Sequence, residues 1–168
     1  MKNFSCVFAG TFDPITLGHI NVIEKCLKKY QKVIIVVGEN ANKTPLFSVQ
    51  ERLSFVSEVF ANEQNVEVYA YNDYKDDYYN FLLSKKAFHY VRGIRNSTDK
   101  KYEKAQIKLN KKLYPFIKTK FIKCDKEFSE ISSTKLKNHL QEDKPLDMLV
   151  PQQIESEVVK AFKQKQVK

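Results

Sequence analysis

Short apolar runs and amphipathic stretches succeed one another along this chain. Residues 4–9 are apolar, residues 10–16 break the run, and a helix-like pattern covers 17–30. Lys-Val-Ile-Ile-Val-Val-Gly at 32–38 is almost unbroken and β-branched, the pattern of a strand covered on both faces in a parallel sheet. Ser48-Val49-Gln50-Glu51 fits a capping box that opens a helix carrying Leu53, Val56 and Phe60 on one side. A third strand is predicted at 66–71, a loop at 72–77, a short helix at 78–85 and a fourth strand at 88–91. Asn96-Ser97-Thr98-Asp99 offers caps for a helix whose inward stripe is Tyr102, Ala105, Gln106, Leu109 and Leu113, stopped by Pro115. A fifth strand is predicted at 118–124. Ile131-Ser132-Ser133-Thr134 caps a short helix at 135–140, and Pro151 opens a last helix with Ile154, Val158, Val159 and Phe162 on its apolar face.

Strand and helix in this rhythm imply right-handed crossovers and an α/β fold, a Rossmann-like doubly wound five-stranded parallel sheet with flanking helices. Without internal repeats or low-complexity linkers, the expectation is one domain over residues 1–168, its last residues, 163–168, frayed. Ligands of such sheets bind beyond the carboxyl ends of the strands. The connections at 10–19, 39–46, 92–99 and 125–134 then share one rim.

Composition narrows the function classes. Apolar residues at 42% and charged residues at 29% fit a globular chain rather than a disordered one. No stretch approaches the roughly 18 consecutive apolar residues of a membrane span, so the reading is cytoplasmic with no membrane partner. A formal charge of +9 invites a nucleic-acid reading. Yet the excess is Lys scattered over predicted helices, with no zinc-finger spacing and no aromatic strand motif for stacking bases, so nucleic acid is not the expected partner. Cys6, Cys26 and Cys124 are widely spaced and read as reduced, buried thiols, and His89 and His139 read as structural.

The rim collects Thr11, Thr16, His19, Lys43, Arg92, Arg95, Glu103, Ser132, Ser133 and Thr134. Hydroxyls and cations with one carboxylate suit phosphate handling, where positioning and charge stabilisation supply most of the catalysis. The loop Gly10-Thr11-Phe12-Asp13-Pro14 ahead of a helix start is itself a suitable phosphate cradle, with His19 near the first turn as a donor. No P-loop and no Gly-x-Gly-x-x-Gly follows the first strand, and no paired carboxylates support two-metal or glycosidase chemistry.

Gly10-Thr11-Phe12-Asp13-Pro14 with Thr16-Leu17-Gly18-His19 resembles the Thr/His-x-Gly-His motif of nucleotidyltransferases. Lys43-Thr44-Pro45-Leu46-Phe47, Arg92-Gly93-Ile94-Arg95 and Ile131-Ser132-Ser133-Thr134 follow in the order found in the bacterial phosphopantetheine adenylyltransferases, and the resemblance spans nearly the whole chain. It implies an enzyme of coenzyme A synthesis that moves AMP from ATP to 4'-phosphopantetheine with Mg2+, giving dephospho-coenzyme A and pyrophosphate by direct in-line attack. It also implies a homohexamer. His19, Thr11, Lys43 and Arg92 would be the catalytic residues. Thr11, Phe12, His19, Gly93, Ile94, Arg95, Glu103, Phe128, Ser129, Glu130, Ile131, Ser132, Ser133 and Thr134 would bind ATP, and Thr11, Lys43 and Arg92 phosphopantetheine, with no residue assigned to metal. The chain departs from the family pattern at Ala9, usually Pro, at Asp99-Lys100-Lys101, and at Glu130. Matching Asn80-Phe81 to the family's helix implies a short insertion within 72–77. Within the superfamily the alternatives are a nicotinate-mononucleotide adenylyltransferase or a cytidylyltransferase; a basic nucleic-acid-binding module is the alternative outside it.

Overall fold

The computed structural model describes residues 4–38, 44–95, 107–108 and 111–167. Five strands, β1 (Ser5–Gly10), β2 (Lys32–Val37), β3 (Val66–Ala70), β4 (Ala87–Ile94) and β5 (Lys118–Lys123), form an all-parallel sheet in the order β3-β2-β1-β4-β5. Five helices are described around it: α1 (Leu17–Leu27), α2 (Val49–Val59), α3 (Tyr78–Ser84), α4 (Ser133–Gln141) and α5 (Gln152–Gln166).

Side chains alternate across the sheet, so each strand serves two cores. Cys6 and Phe8 of β1, Val33, Ile35 and Val37 of β2, and Val91 of β4 pack with α1, α2, α4 and α5. Val7, Ile34, Val36 and Tyr90 face the other way, onto α3. This is why 33–37 carries no polar residue: both of its faces are buried. Crossovers through α1 and α2 cover one face, and the chain then returns through α3 on the other face to place β4 beside β1. The winding direction reverses between β1 and β4, the place where a doubly wound sheet opens a crevice at the carboxyl ends of its strands.

Three differences from the sequence reading have physical causes. β4 does not stop at Val91 but continues to Ile94, taking Arg92 and Gly93 into the sheet opposite Phe121 and Ile122 of β5. Gly93 permits this, because a Cβ there would lie 3.2 Å from Cγ2 of Val22 on α1. The segment after β3 is less irregular than expected: a 3-10 turn at Tyr71–Asp73 opens it, and Tyr74 stacks on Phe81 with ring centroids 4.1 Å apart. The carboxyl-terminal residues 163–166 are helical rather than frayed, since the Lys165 ammonium pairs with Glu51 at 2.8 Å and lies over the Phe47 ring. The predicted helix stripe at Tyr102, Ala105, Gln106 and Leu109 lies outside the described residues; Leu113 is in a helical segment and half exposed.

The inward face of α2 is also not the expected one. Phe55 and Val56 are buried, Leu53 and Phe60 only in part, and Arg52 is 1% exposed. Its Nε donates to the Phe47 carbonyl at 3.0 Å, and Nη1 donates to the carbonyls of Thr11 at 2.6 Å and Gly38 at 2.7 Å. One guanidinium thereby joins the loops leaving β1 and β2 to the start of α2. Replacing Arg52 with Met keeps the volume and removes the donors from three carbonyls; since one unsatisfied buried polar group costs roughly 1–3 kcal/mol, R52M is expected to lower stability by about 3 kcal/mol or more. Urea denaturation checks this as a fall in midpoint, and an unchanged midpoint would contradict the role given to Arg52.

Candidate active site

The loop between β1 and α1 is held in a demanding shape. Phe12 has φ 47°, a left-handed conformation that costs a bulky residue on the order of 1–3 kcal/mol. Packing holds it there: the Phe12 ring is buried, edge-on to Phe8 at 5.6 Å and to His19 at 5.2 Å. The Asp13–Pro14 peptide bond is cis. Asp13, only 5% exposed, accepts hydrogen bonds from the backbone N–H groups of Leu46 and Phe47, both at 2.9 Å, and pairs with Lys137 of α4 at 2.9 Å.

Thr16 caps α1, and His19 occupies the third helical position, where a capping box usually has Glu or Gln. The Thr16 N–H donates to His19 Nδ1 at 3.1 Å, and the Thr16 hydroxyl is 2.9 Å from the same nitrogen. Because a backbone N–H can only donate, Nδ1 accepts, and the proton of the neutral ring belongs on Nε2. Burial, and then the charge of Arg95, push the His19 pKa down to about 4. At neutral pH the ring is therefore an uncharged donor with its tautomer fixed.

His19 lines a cleft of about 660 Å³ at the carboxyl ends of β1 and β4. Its other walls are Gly10 and Phe12, residues Arg92 to Arg95, and the segment from Phe128 and Ile131 into the first turn of α4. Phe8, Val22 and Cys124 add apolar surface. α1 comes this close to the 128–131 segment because residue 18 is glycine: a Cβ there would sit 3.2 Å from the Ile131 carbonyl oxygen and 3.5 Å from that of Phe128. Two helix amino-terminal ends and two arginines face the cleft, and no carboxylate is among its described lining residues. The cleft favours an anion.

The structure brings Phe12, His19, Arg92, Gly93, Ile94, Arg95, Phe128, Ile131, Ser132, Ser133 and Thr134 together around this cleft. Alternation along β4 sends Arg92 to the α3 side, its guanidinium 5.4 Å over the Tyr90 ring, while Arg95 acts on His19 across the α1 side. Ser132 and Ser133 line the cleft yet use their hydroxyls structurally: Ser132 Oγ accepts from the Lys135 N–H at 3.1 Å, and Ser133 Oγ donates to the Pro14 carbonyl at 2.8 Å. Thr11 adjoins the cleft but does not line it; its carbonyl is bound by Arg52. Ser129 and Glu130 do not line it either. Ser129 closes a 3-10 turn by donating to the Lys126 carbonyl at 2.6 Å, and Glu130 is exposed. Lys43 and Glu103 lie outside the described residues.

Sequence reasoning missed Asp13, Arg52 and Lys137. A charged residue in a loop or an amphipathic helix reads as solvated, and only the fold reveals three chain segments converging on it. Asp13 alone left a signal, standing between Phe12 and Pro14 inside the motif.

A family profile described as Cytidylyltransferase-like matches residues 7–139. The chain is 36% identical over 168 residues to the phosphopantetheine adenylyltransferase of Wigglesworthia glossinidia brevipalpis, covering 100% of this chain and 98% of that relative. It is 35% identical over 159 residues to the enzyme of that name from Dictyoglomus turgidum, covering 95% and 98%. With the namesake from Syntrophomonas wolfei identity is 38% over 131 residues, covering 78% and 80%. A nucleotidyltransferase-family fold, a cleft at its switch point whose lining favours an anion, and full-length similarity converge: the chain belongs to the phosphopantetheine adenylyltransferase family.

Proposed function

We infer that this protein transfers AMP from ATP to 4'-phosphopantetheine, releasing pyrophosphate and forming dephospho-coenzyme A. The observation that carries the reading is His19, neutral and with Nδ1 engaged by Thr16, in an anion-favouring cleft between β1 and β4. The attacking group is a phosphate monoester already largely ionised at neutral pH, its second pKa being about 6. It needs no general base. A phosphate oxygen attacks the α-phosphorus in line as the bond to the bridging oxygen breaks, and pyrophosphate departs with that electron pair. No covalent enzyme intermediate forms, so the protein's task is alignment and charge compensation.

His19 donates from Nε2 to the α-phosphate oxygens as charge develops on them. Gly93, Ile94 and Arg95, with Phe12, Phe128 and Ile131, hold ATP, and the first turn of α4 offers Thr134 and backbone N–H groups to its phosphates. Arg92, on the opposite side of β4, holds the incoming phosphate together with Lys43, and Thr11 orients it. Glu103 completes the ATP set. Ser129 and Glu130, which do not line the cleft, are left out of it. Among the described residues no cluster of three His, Cys, Asp or Glu side chains exists to cage a metal. Mg2+ would enter with the triphosphate rather than through a protein cage and would offset its charge, a mode common for this ion. The family resemblance also supports a homohexamer and a cytoplasmic setting; no described helix is long and apolar enough to cross a membrane.

Pyrophosphate release is expected with ATP plus 4'-phosphopantetheine. Turnover only with nicotinate mononucleotide, or only with CTP plus glycerol phosphate, would reject the substrate assignment. Replacing His19 with Ala is expected to lower kcat by about 10²–10³-fold with the fold retained, the usual loss when one preorganised donor is removed. A kcat within twofold of the parent would remove His19 from the mechanism.

The pH dependence is a separate check. The His19 pKa lies at about 4 in the folded chain against 6.5 ordinarily, so the unfolded chain takes up the proton first. The stability His19 contributes is fully present above pH 6.5 and is lost as pH falls through about 4. Ring chemical shifts of His19 should titrate near 4 in the free protein and at higher pH with ATP bound, because the phosphate charge favours the imidazolium. A free-protein midpoint near 6.5 would contradict the buried, neutral ring.

A further inference from the structure

Asp13 and Lys137 belong to no part of the machinery described above, yet they join its two halves. The Asp13 carboxylate takes three donors from outside its own loop: Phe47 N–H on Oδ1, Leu46 N–H on Oδ2, and the Lys137 ammonium on Oδ2, all at 2.9 Å. Lys137 lies four residues after Ser133, so the two occupy one face of α4 a turn apart. Both reach the β1–α1 loop at adjacent residues, Ser133 at the Pro14 carbonyl and Lys137 at Asp13. Loop residues 12 and 16 with His19 of α1 form one wall of the cleft, and the first turn of α4 forms another.

Docking of α4 does not require this pair, because Leu136 and Leu140 are already buried in the main core. A largely buried ion pair contributes little net stability, since desolvation offsets most of the attraction. It does fix direction, and it cancels a carboxylate that would otherwise stand uncompensated beside an anion site. We propose that Asp13 and Lys137 are positioning residues that set the gap between His19 and the first turn of α4, and so the fit of the nucleotide's phosphates. The proposal rests on the adenylyltransferase reading in taking ATP as the ligand.

The test compares K137M, K137R, D13N and the double variant D13N/K137M with the parent. Steady-state kinetics is run on both substrates, ATP binding is measured by calorimetry, and urea midpoints are recorded. K137M is expected to raise Kd and KM for ATP about tenfold or more, the scale on which small misplacements act, with KM for 4'-phosphopantetheine changed much less. K137R should recover most of the loss, and the double variant should be less impaired than the product of the two single effects. An ATP affinity within twofold of the parent in K137M would overturn the proposal. So would equal losses for both substrates, K137R no better than K137M, or strictly multiplicative single effects. Lys137 is partly exposed and its replacement should leave the fold intact, so K137M decides the matter even if D13N fails to fold. A parent enzyme that binds ATP without turning over 4'-phosphopantetheine would reject the activity reading, while the calorimetric comparison would still judge the Asp13–Lys137 pair.

Discussion

A loop that leaves a parallel sheet at its carboxyl edge and turns sharply toward a helix must satisfy its backbone without covering the ligand's place. Here the Arg52 guanidinium meets that constraint from below, binding the Thr11 carbonyl together with those of Gly38 and Phe47. With Thr11 held, Phe12 can occupy a left-handed conformation and turn its ring onto Phe8 and His19. The imidazole is then confined between that ring and the Thr16 N–H. The Thr16 N–H fixes the His19 tautomer, and the ring packs against a loop that is tied down by a charge outside the cleft's lining.

The same economy governs the electrostatics. The net charge of +9 says little about the site, because many of the lysines are scattered. What counts is the local balance: Arg92 and Arg95 approach from opposite faces of β4, α1 and α4 present their amino-terminal ends, and the Asp13 carboxylate is neutralised by Lys137 and two amides. A neutral His19 fits this balance. A third cation held permanently between Arg95 and the helix ends would be costly before any phosphate arrived, and the phosphate's own charge can raise the pKa when needed.

Much of the fold was legible because its periodicities are strong. The β-branched run before Gly38 gave β2 within a residue, Ser48 and Glu51 form the predicted capping box, and Pro151 caps the last helix. Boundaries failed where charge concealed burial. Arg92 hid the continuation of β4, Arg52 hid the inward face of α2, and Lys163 and Lys165 made a helical turn look like a solvated end. The motif residues around the cleft could be read because their chemistry is local to short segments. The residues that orient them could not, since Asp13 and Lys137 are 124 positions apart and only the sheet order brings them together.

The Ile131-Ser132-Ser133-Thr134 motif admits two readings, helix cap and anion site, and the structure divides them among its members. Ser132 caps α4 and Ser133 ties it to Pro14, so both hydroxyls already have protein partners. Ser133 could donate to phosphate only by giving up its bond to Pro14, whereas Ser132, which accepts from the Lys135 N–H, keeps its own O–H to donate. The groups of this turn left to face an anion are then the Ser132 and Thr134 hydroxyls and backbone N–H groups, whose direction is set by α4 itself. The anion preference of this end of the cleft therefore depends on how α4 is oriented as well as on its hydroxyls. That orientation is fixed by the hydrogen bond and the ion pair reaching residues 14 and 13, in the same loop that positions His19. The two walls of the cleft are thus held to one rigid segment, and a change in one carries to the other.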